Sequence, residues 1–212
     1  SLTWHRDGAA ARTARRVEIE KRQDIRFSNG DVQLTGMLIS PTTAGKHPAN
    51  IRVHGSGAQN REAMLPWARF LVRRGMAVLG YDKRGVGGST GDWNAATFDE
   101  LAGDAVAAHQ YLKTRSGVDA AQIGLLGVSQ AGWIVPIAAA KTQPAFMLLI
   151  VAPTVSIGVE NFYSNIVEVT NAPVDEGYRQ LPSFNGFHGF DPKPVLESLN
   201  VPGLWLLGGE DR

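Results

Sequence analysis

The chain has 212 residues, of which 43% are apolar and 19% charged, which fits one domain or at most two small ones and excludes a disordered chain. Its 21 lysines and arginines nearly match its 20 aspartates and glutamates, so at a net charge of +1 no basic excess argues for nucleic acid as a partner. The absence of cysteine excludes disulfide frameworks, thiolate metal sites and cysteine nucleophiles, and the longest apolar run, residues 145–153, is too short to span a membrane.

Two segments open the chain. Residues 1–16 are polar and rich in arginine, which indicates a solvated lead-in segment, and Ser1 in place of a methionine indicates a processed or excerpted chain. Asn29-Gly30 then separates two stretches in which apolar and polar residues alternate, and both residues of a tight hairpin turn need a positive φ. We therefore predict one domain over residues 17–212 that opens with an antiparallel hairpin turning at Asn29-Gly30.

Strand and helix patterns alternate along the rest of the chain. Such alternation predicts a mostly parallel sheet wound by helices on both faces, and active sites in these sheets lie at the carboxyl ends of the strands. Thr97 is predicted to cap one helix, and Gly75 to end another. Strands are predicted at 51–53, 76–81, 123–126, 146–151 and 204–207, and helices at 61–74, 98–112, 131–141 and 194–199.

The turn Gly127-Val128-Ser129-Gln130-Ala131 lies between a predicted strand and a predicted helix. It has the G-x-S-x-G form of a nucleophile elbow, with alanine as the last residue. In so sharp a turn the residues two before and two after the serine pack together, so only small side chains fit, and the serine hydroxyl is held exposed above the sheet. Ser129 is the candidate nucleophile and the backbone N–H of Gln130 a candidate oxyanion donor. A chance match of this short pattern is the alternative.

A second turn, His54-Gly55-Ser56-Gly57, follows an earlier strand. Its glycines allow backbone N–H groups to face a substrate carbonyl, so the N–H of Ser56 is the candidate for the other oxyanion donor. His54 is expected to brace the turn rather than to carry protons. An ordinary flexible loop is the alternative reading of this segment.

Two further strand ends carry charged residues. Glu210 and Asp211 follow the last predicted strand, where a carboxylate could orient a catalytic histidine, although acidic residues are also common in plain turns. The segment 81–89 is glycine-rich, but Thr90 stands where a dinucleotide loop needs its third glycine. We interpret it as a structural loop in which Asp82 pairs with Arg84.

Taken together, residues 53–61, 81–93, 123–133 and 208–212 resemble the α/β-hydrolase superfamily, and more narrowly its bacterial esterases and serine-aminopeptidase-like hydrolases. The resemblance covers about residues 17–212 and implies the α/β-hydrolase fold. It also implies Ser129 as nucleophile, Asp211 rather than Glu210 as triad acid, and the backbones of Ser56 and Gln130 as oxyanion donors. The implied reaction is hydrolysis of a small carboxylic ester, or of a thioester or amide, through an acyl-enzyme and without metal or cofactor.

The chain departs from this family in two places. The family's catalytic histidine follows the acid, whereas one residue follows Asp211 here, and the last strand and helix of the fold have no counterpart. A short, turn-rich segment stands in place of the usual helical cap around residues 160–191. We therefore expect the sequence to be an excerpt of a longer protein. His188 is a weak substitute for the base because it precedes Asp211, and His5, His47 and His109 are interpreted as surface or helix residues.

Three functions compete at this point. The first is a serine hydrolase; the second is a non-catalytic binding protein of the same fold that lacks the base; the third, a nucleotide-binding domain, is disfavoured by the failed glycine spacing. Four aromatic residues are candidates for an acyl pocket and equally for plain core: Trp133, Phe162, Tyr163 and Phe187.

Overall fold

A short hairpin forms the lead-in segment. The structure, a computed structural model, describes residues 2–5, 7–8, 10–15, 17–162 and 190–208. Strands β1 (Leu2–Trp4) and β2 (Arg12–Ala14) pair antiparallel in a sheet of their own, and the residues of β2 are exposed. The exposure fits a solvated segment, whereas the strand pairing was not predicted from the sequence.

A seven-stranded, mostly parallel sheet is the centre of the described part of the chain. Its order is β3-β4-β6-β5-β7-β8-β9, with β4 antiparallel to both β3 and β6 and every other pair parallel. Since β6 and β7 flank β5 on opposite sides, the connections that follow β5 and β6 lead to opposite halves of the sheet, which opens a crevice at the carboxyl ends of the strands. The strands are β3 (Glu20–Asn29), β4 (Val32–Pro41), β5 (His47–Val53), β6 (Ala77–Tyr81), β7 (Val118–Val128), β8 (Met147–Ile150) and β9 (Gly203–Leu206).

The predicted hairpin is present as β3 and β4, but its turn lies one residue further along. Asn29 pairs with Val32, so the two-residue loop is Gly30-Asp31 rather than Asn29-Gly30. Gly30 alone has a positive φ, of 56°, at the first central position of the turn. Asn29 stays in the strand, where its side-chain amide donates to Asp104 over 2.8 Å.

The four predicted helices are present in the predicted order, one of them divided in two, and a further short helix at Ile157–Phe162 was not predicted. A 3₁₀ turn (Arg61–Met64) precedes α1 (Leu65–Val72), because Pro66 favours the first turn of a new helix, where no N–H is needed. Gly75, at a φ of 84°, lies just beyond the end of α1. Thr97 caps α2 in a reciprocal capping box with Glu100. The remaining helices are α2 (Phe98–Lys113), α3 (Ala131–Thr142), α4 (Ile157–Phe162) and α5 (Lys193–Ser198).

Helices cover both faces of the sheet, which confirms the predicted α/β-hydrolase architecture. Helices α2 and α3 bury one face over Ile51, Leu79 and Leu125, all fully buried. On the other face α1 packs Ala68 and Val72 on residues of β4 and β6 in a smaller cluster. Strand β9 ends the order, and its four residues are exposed within the described part of the chain, unlike the buried strand that its apolar sequence predicted. None of the described helices is both long and apolar enough to cross a membrane.

The predicted pairing of Asp82 with Arg84 is wrong. Arg84 leaves the loop towards α2 and binds both carboxylate oxygens of Asp104, through Nε at 2.7 Å and Nη2 at 3.0 Å. Asp82 instead accepts from the backbone N–H groups of Arg61 (2.8 Å) and Gly88 (2.9 Å) and from the Arg61 guanidinium. Two-point contacts of this kind are stronger than a single contact between near neighbours in the loop. The two buried charges therefore fasten the loop after β6 to different elements.

Replacement of Arg84 by methionine should lower the free energy of unfolding by about 3–5 kcal/mol, because it leaves the buried Asp104 carboxylate without its cation. Arg22→Met is the matched control: it removes an exposed pair with Glu20 and should cost less than about 1 kcal/mol. Urea unfolding of both variants measures the difference. Equal losses would show that the Arg84–Asp104 pair does not hold the loop.

Candidate active site

Ser129 stands at a sharp turn between β7 and α3. Its φ is 53°, in the left-handed region that residues other than glycine seldom adopt, and its side chain is exposed. The turn is held from the neighbouring strand, because the Ser129 N–H donates to the carbonyl of Ile150 over 3.1 Å. Val151, the residue after Ile150, also has a positive φ, of 41°. Two strained residues thus lie side by side at the carboxyl edge of the sheet, where strain commonly marks a functional site.

Small residues allow this turn, as the sequence pattern predicted. A Cβ placed on Gly127 would lie 2.8 Å from the Cβ of Ala131 and 2.9 Å from Cγ2 of Val135, both closer than real Cβ contacts. Ala131 is fully buried. Gly132 is equally confined, since a Cβ there would overlap the carbonyl oxygen of Pro153. The start of α3 therefore rests directly on β7 and on the segment after β8.

The loop after β5 lies against this turn. Val53 pairs with Gly127 in the parallel register of β5 and β7, so the two following loops leave the sheet side by side. A Cβ on Gly55 would lie 3.6 Å from the Cβ of Ser129 and 3.2 Å from the carbonyl oxygen of Val128. The structure thus brings together the two segments in which the sequence predicted the nucleophile and the oxyanion donors.

The backbone N–H groups of Ser56 and Gln130 are both available to a ligand. Within the described residues neither of them donates a hydrogen bond, whereas the N–H of Gly55 is occupied by Oε1 of Gln59 over 3.3 Å. The Gln59 amide closes the loop by donating back to the carbonyl of Ser56 over 3.0 Å. N–H groups that have no acceptor among the described residues, in two loops next to an exposed serine, are suited to an oxyanion.

His54 braces the end of β5, as expected. Its side chain is buried, Nε2 donates to the carbonyl of Tyr81, and the two rings meet edge to face at 4.6 Å. Burial lowers the pKa of His54 to about 3, so its imidazole is neutral near neutral pH. Because its Nε2 proton is donated to the carbonyl of Tyr81, His54 is a structural group.

Lys83 is part of the site although the sequence analysis treated its loop as structural. Its ammonium donates to the carbonyl of Gly55 over 2.7 Å and to Oε1 of Gln130 over 3.1 Å. Its backbone N–H donates to the carbonyl of Gln59 over 3.0 Å. The sequence carried one usable signal: a lysine two residues after a buried strand lies at the carboxyl edge of the sheet, where sites form.

Several predicted site residues lie outside the described part of the chain. These are Asp211, its alternative Glu210, and His188. Strand β9, which precedes Asp211, is described: Leu206 pairs with Ile150, which itself pairs with Val128. The chain after β9 therefore leaves the sheet at the same edge as Ser129.

The described histidines form no hydrogen bond with Ser129. His54 is committed to Tyr81; His47 meets the carbonyl of Thr43; His109 lies buried on α2, where burial and Lys113 lower its pKa. His5 is exposed in the lead-in segment. Among the residues described, none of the four hydrogen-bonds the serine that the sequence assigns as nucleophile.

The four aromatic residues considered for an acyl pocket do not define one in the described part of the chain. Trp133 is buried, stacks on Phe98 and donates from its indole to the carbonyl of Val155 over 2.9 Å, which makes it a core residue. The side chain of Phe162, like Tyr163 and Phe187, lies outside what the structure describes. In the described ranges no three His, Asp or Glu side chains are grouped as metal ligands are.

Comparison with known proteins shows which family the chain matches and which proteins it resembles. The profile of the X-Pro dipeptidyl-peptidase (S15) family matches residues 6–173. The esterase EstD of Thermotoga maritima is 24% identical over 220 aligned residues, which cover 87% of this chain and 52% of the esterase. The chain therefore spans about half the length of this curated relative.

Solved structures with the same fold include two esterases. One, from Pyrococcus furiosus, superposes with a TM-score of 0.64 at 19% identity, covering 87% of this chain and 68% of its own. The other, acetyl xylan esterase 1 of a Thermoanaerobacterium species, gives 0.60 at 19% identity, covering 91% and 69%. At this identity the likeness shows the fold alone.

Gly127→Ala should lower the free energy of unfolding by about 1–3 kcal/mol, because the added methyl group overlaps Ala131 and Val135. Gly117→Ala is the control, since a Cβ there meets no atom within 4 Å and its φ is not positive. Urea unfolding of both variants measures the loss. If Gly127→Ala were as stable as Gly117→Ala, the close packing of β7 on α3 would not be what shapes the turn.

Proposed function

Because the chain belongs to the X-Pro dipeptidyl-peptidase (S15) family and has the α/β-hydrolase fold, we propose that the intact protein is a serine hydrolase acting through Ser129. One observation carries the proposal: an exposed serine in a left-handed turn lies next to two loops whose N–H groups at Ser56 and Gln130 donate to no acceptor among the described residues. Its substrates are small carboxylic esters, with thioesters and amides as the neighbouring classes. The esterase names of several relatives support esters, and the family description supports amides.

The reaction follows from these positions. The hydroxyl oxygen of Ser129 attacks the ester carbonyl carbon and its proton passes to the base, while the carbonyl oxygen takes the negative charge. That oxygen accepts hydrogen bonds from the N–H groups of Ser56 and Gln130, which stabilise it most when the charge develops. The alcohol leaves with the proton, and water then attacks the acyl-enzyme in the same way. The start of α3 lies directly after Ser129, so the helix dipole also favours the oxyanion.

The base and its partner complete the proposal. None of the described histidines is placed to take the proton, so we assign the base to a histidine outside the described residues: one that follows Asp211 in the intact protein or, less favoured, His188. Asp211 is assigned the role of holding that histidine in the correct tautomer and stabilising its charged form. The return of β9 to the edge that carries Ser129 supports Asp211 for this role.

A binding protein of the same fold is the second candidate function. It is favoured by one observation, that no described histidine forms a hydrogen bond with Ser129. Such a protein would keep the turn and the free N–H groups, yet would not form a covalent intermediate. Activity of Ser129 therefore separates the two candidates.

Ser129→Ala in the intact protein should reduce kcat for p-nitrophenyl acetate by about 10⁴-fold or more while the fold is kept, because the exposed hydroxyl is the nucleophile. A fluorophosphonate should add one adduct to the wild-type protein and none to this variant, as measured by intact mass. Ser116→Ala, which alters another exposed serine, is the control and should retain both activities.

Three outcomes decide the proposal. Wild-type-like turnover by Ser129→Ala would remove the assignment of the nucleophile. A wild-type protein that neither hydrolyses the ester nor takes up the label would favour the binding protein. Cleavage of alanyl-prolyl p-nitroanilide but not of the ester would replace the ester assignment with an amide one.

Asp211→Asn should lower kcat by about 10⁴-fold, because an amide in that place favours the wrong histidine tautomer. Glu210→Gln is the neighbouring control and should leave the rate within about threefold of the wild type, since the proposal gives Glu210 no contact with the base. Steady-state kinetics on the same ester measure both. A loss in Glu210→Gln with an unaffected Asp211→Asn would exchange the two roles.

A further inference from the structure

We infer that Lys83 is a positioning residue: its ammonium fixes the direction of the Ser56 N–H and joins the loop after β5 to Gln130. The inference rests on the proposed function, because it concerns the two oxyanion donors assigned there. Three observations support it: the contacts of the ammonium, the geometry of the peptide unit before Ser56, and the burial of the charge.

The ammonium group uses all of its donors on the two loops. Lys83 Nζ lies 2.7 Å from the carbonyl oxygen of Gly55, 3.3 Å from that of Gly57 and 3.1 Å from Oε1 of Gln130. An ammonium has three N–H bonds and no acceptor, so none is left for a substrate. Lys83 can therefore act on the reaction only through the groups it holds.

The contact between the Lys83 ammonium and the Gly55 carbonyl sets the orientation of the peptide unit between Gly55 and Ser56. A trans peptide is planar, and its C=O and N–H point to opposite sides; the described chain contains no cis peptide. Because the Gly55 carbonyl is drawn towards Lys83, the Ser56 N–H points away from the ammonium. Glycines on both sides of Ser56, with Gly57 at a φ of 76°, would otherwise leave this unit a choice of orientations.

The third contact reaches the other donor. Gln130 supplies the second N–H from its backbone, and its side chain is held by Lys83 through Oε1. Lys83 lies two residues after β6, the strand on the far side of β5 from β7. One side chain from a third loop therefore joins the two loops that must stay in register for a single oxygen to reach both donors.

The burial of Lys83 is difficult to explain by stability alone. The side chain is 2% exposed, and no carboxylate in the described part of the chain pairs with it. The nearest one in sequence, Asp82, is used by Arg61 and Gly88. An unpaired buried ammonium is costly, and burial lowers the pKa of Lys83 to about 8, which still leaves it protonated at neutral pH. Trp93, whose ring centre lies 5.1 Å from Nζ, offsets part of this cost.

Lys83→Met in the intact protein tests the inference by separating kcat from KM. Loss of the ammonium should lower kcat for p-nitrophenyl acetate by about 10- to 100-fold with KM within about threefold, because misdirected donors fail mainly in the transition state. The rate of fluorophosphonate labelling at Ser129 should fall in parallel. Leu112→Ala is the stability control: this buried residue lies in the last turn of α2, away from the site, so thermal stability should fall while kcat stays unchanged.

A chemical rescue covers the case in which Lys83→Met does not fold. These 212 residues contain no cysteine. With every cysteine in the rest of the intact protein replaced by serine, Lys83→Cys can be alkylated at one position in urea and refolded. Bromoethylamine restores an ammonium at nearly the length of lysine, and bromopropane gives a neutral side chain of the same size. The inference expects the charged product to recover most of the wild-type kcat and the neutral product to resemble Lys83→Met.

The outcomes separate this inference from the proposed function. If the wild-type protein shows no hydrolysis or labelling that depends on Ser129, the proposed function fails and the inference with it. If wild-type activity depends on Ser129 but Lys83→Met retains kcat, or the two alkylated products are equally active, the inference alone is overturned.

Discussion

The packing of strand β7 on helix α3 is the constraint from which the candidate site follows. Gly127 and Ala131 approach so closely that no side chain larger than a methyl group fits at the second position and none at the first. The chain between them must therefore reverse within three residues, and Ser129 takes a left-handed φ at the top of that reversal. The same turn exposes the Ser129 hydroxyl. It also leaves the Gln130 N–H without an acceptor among the described residues, because a residue at the start of a helix has no internal partner for its N–H.

Three consecutive buried charged residues, Asp82, Lys83 and Arg84, connect this turn to the rest of the sheet. Residues 82–84 follow β6, and each contacts a different element: Asp82 the segment before α1, Lys83 the two loops of the site, and Arg84 helix α2. In the ion pairs Arg61–Asp82 and Arg84–Asp104 each charge is neutralised by its partner, and these pairs fix the loop itself. The lysine is held by carbonyl and amide oxygens instead, so its charge acts on the direction of backbone groups beside Ser129. Asp82 and Arg84 thus stabilise the loop, whereas Lys83, between them, positions the backbone groups beside Ser129.

Local features of this molecule were readable from the sequence, and contacts between distant segments were not. Apolar periodicity predicted the order of strands and helices, and the small residues around Ser129 predicted the turn, because both depend on neighbours in the chain. The partners of Lys83 lie 26 to 47 residues away, and no local pattern identifies them. Asp82 and Arg84 were paired with each other for the same reason: proximity in sequence was the one guide, whereas Asp104 offers Arg84 a two-point contact across the fold.

The central claim is that Ser129 attacks a carbonyl whose oxygen is then held by the backbones of Ser56 and Gln130. A crystal structure of the intact protein after reaction with a fluorophosphonate tests it most directly, because the phosphonyl oxygen imitates the oxyanion. The account predicts a bond from phosphorus to the hydroxyl oxygen of Ser129 and a phosphonyl oxygen about 2.7–3.1 Å from both backbone nitrogens. An adduct on another residue, or an oxygen turned away from both N–H groups, would contradict it.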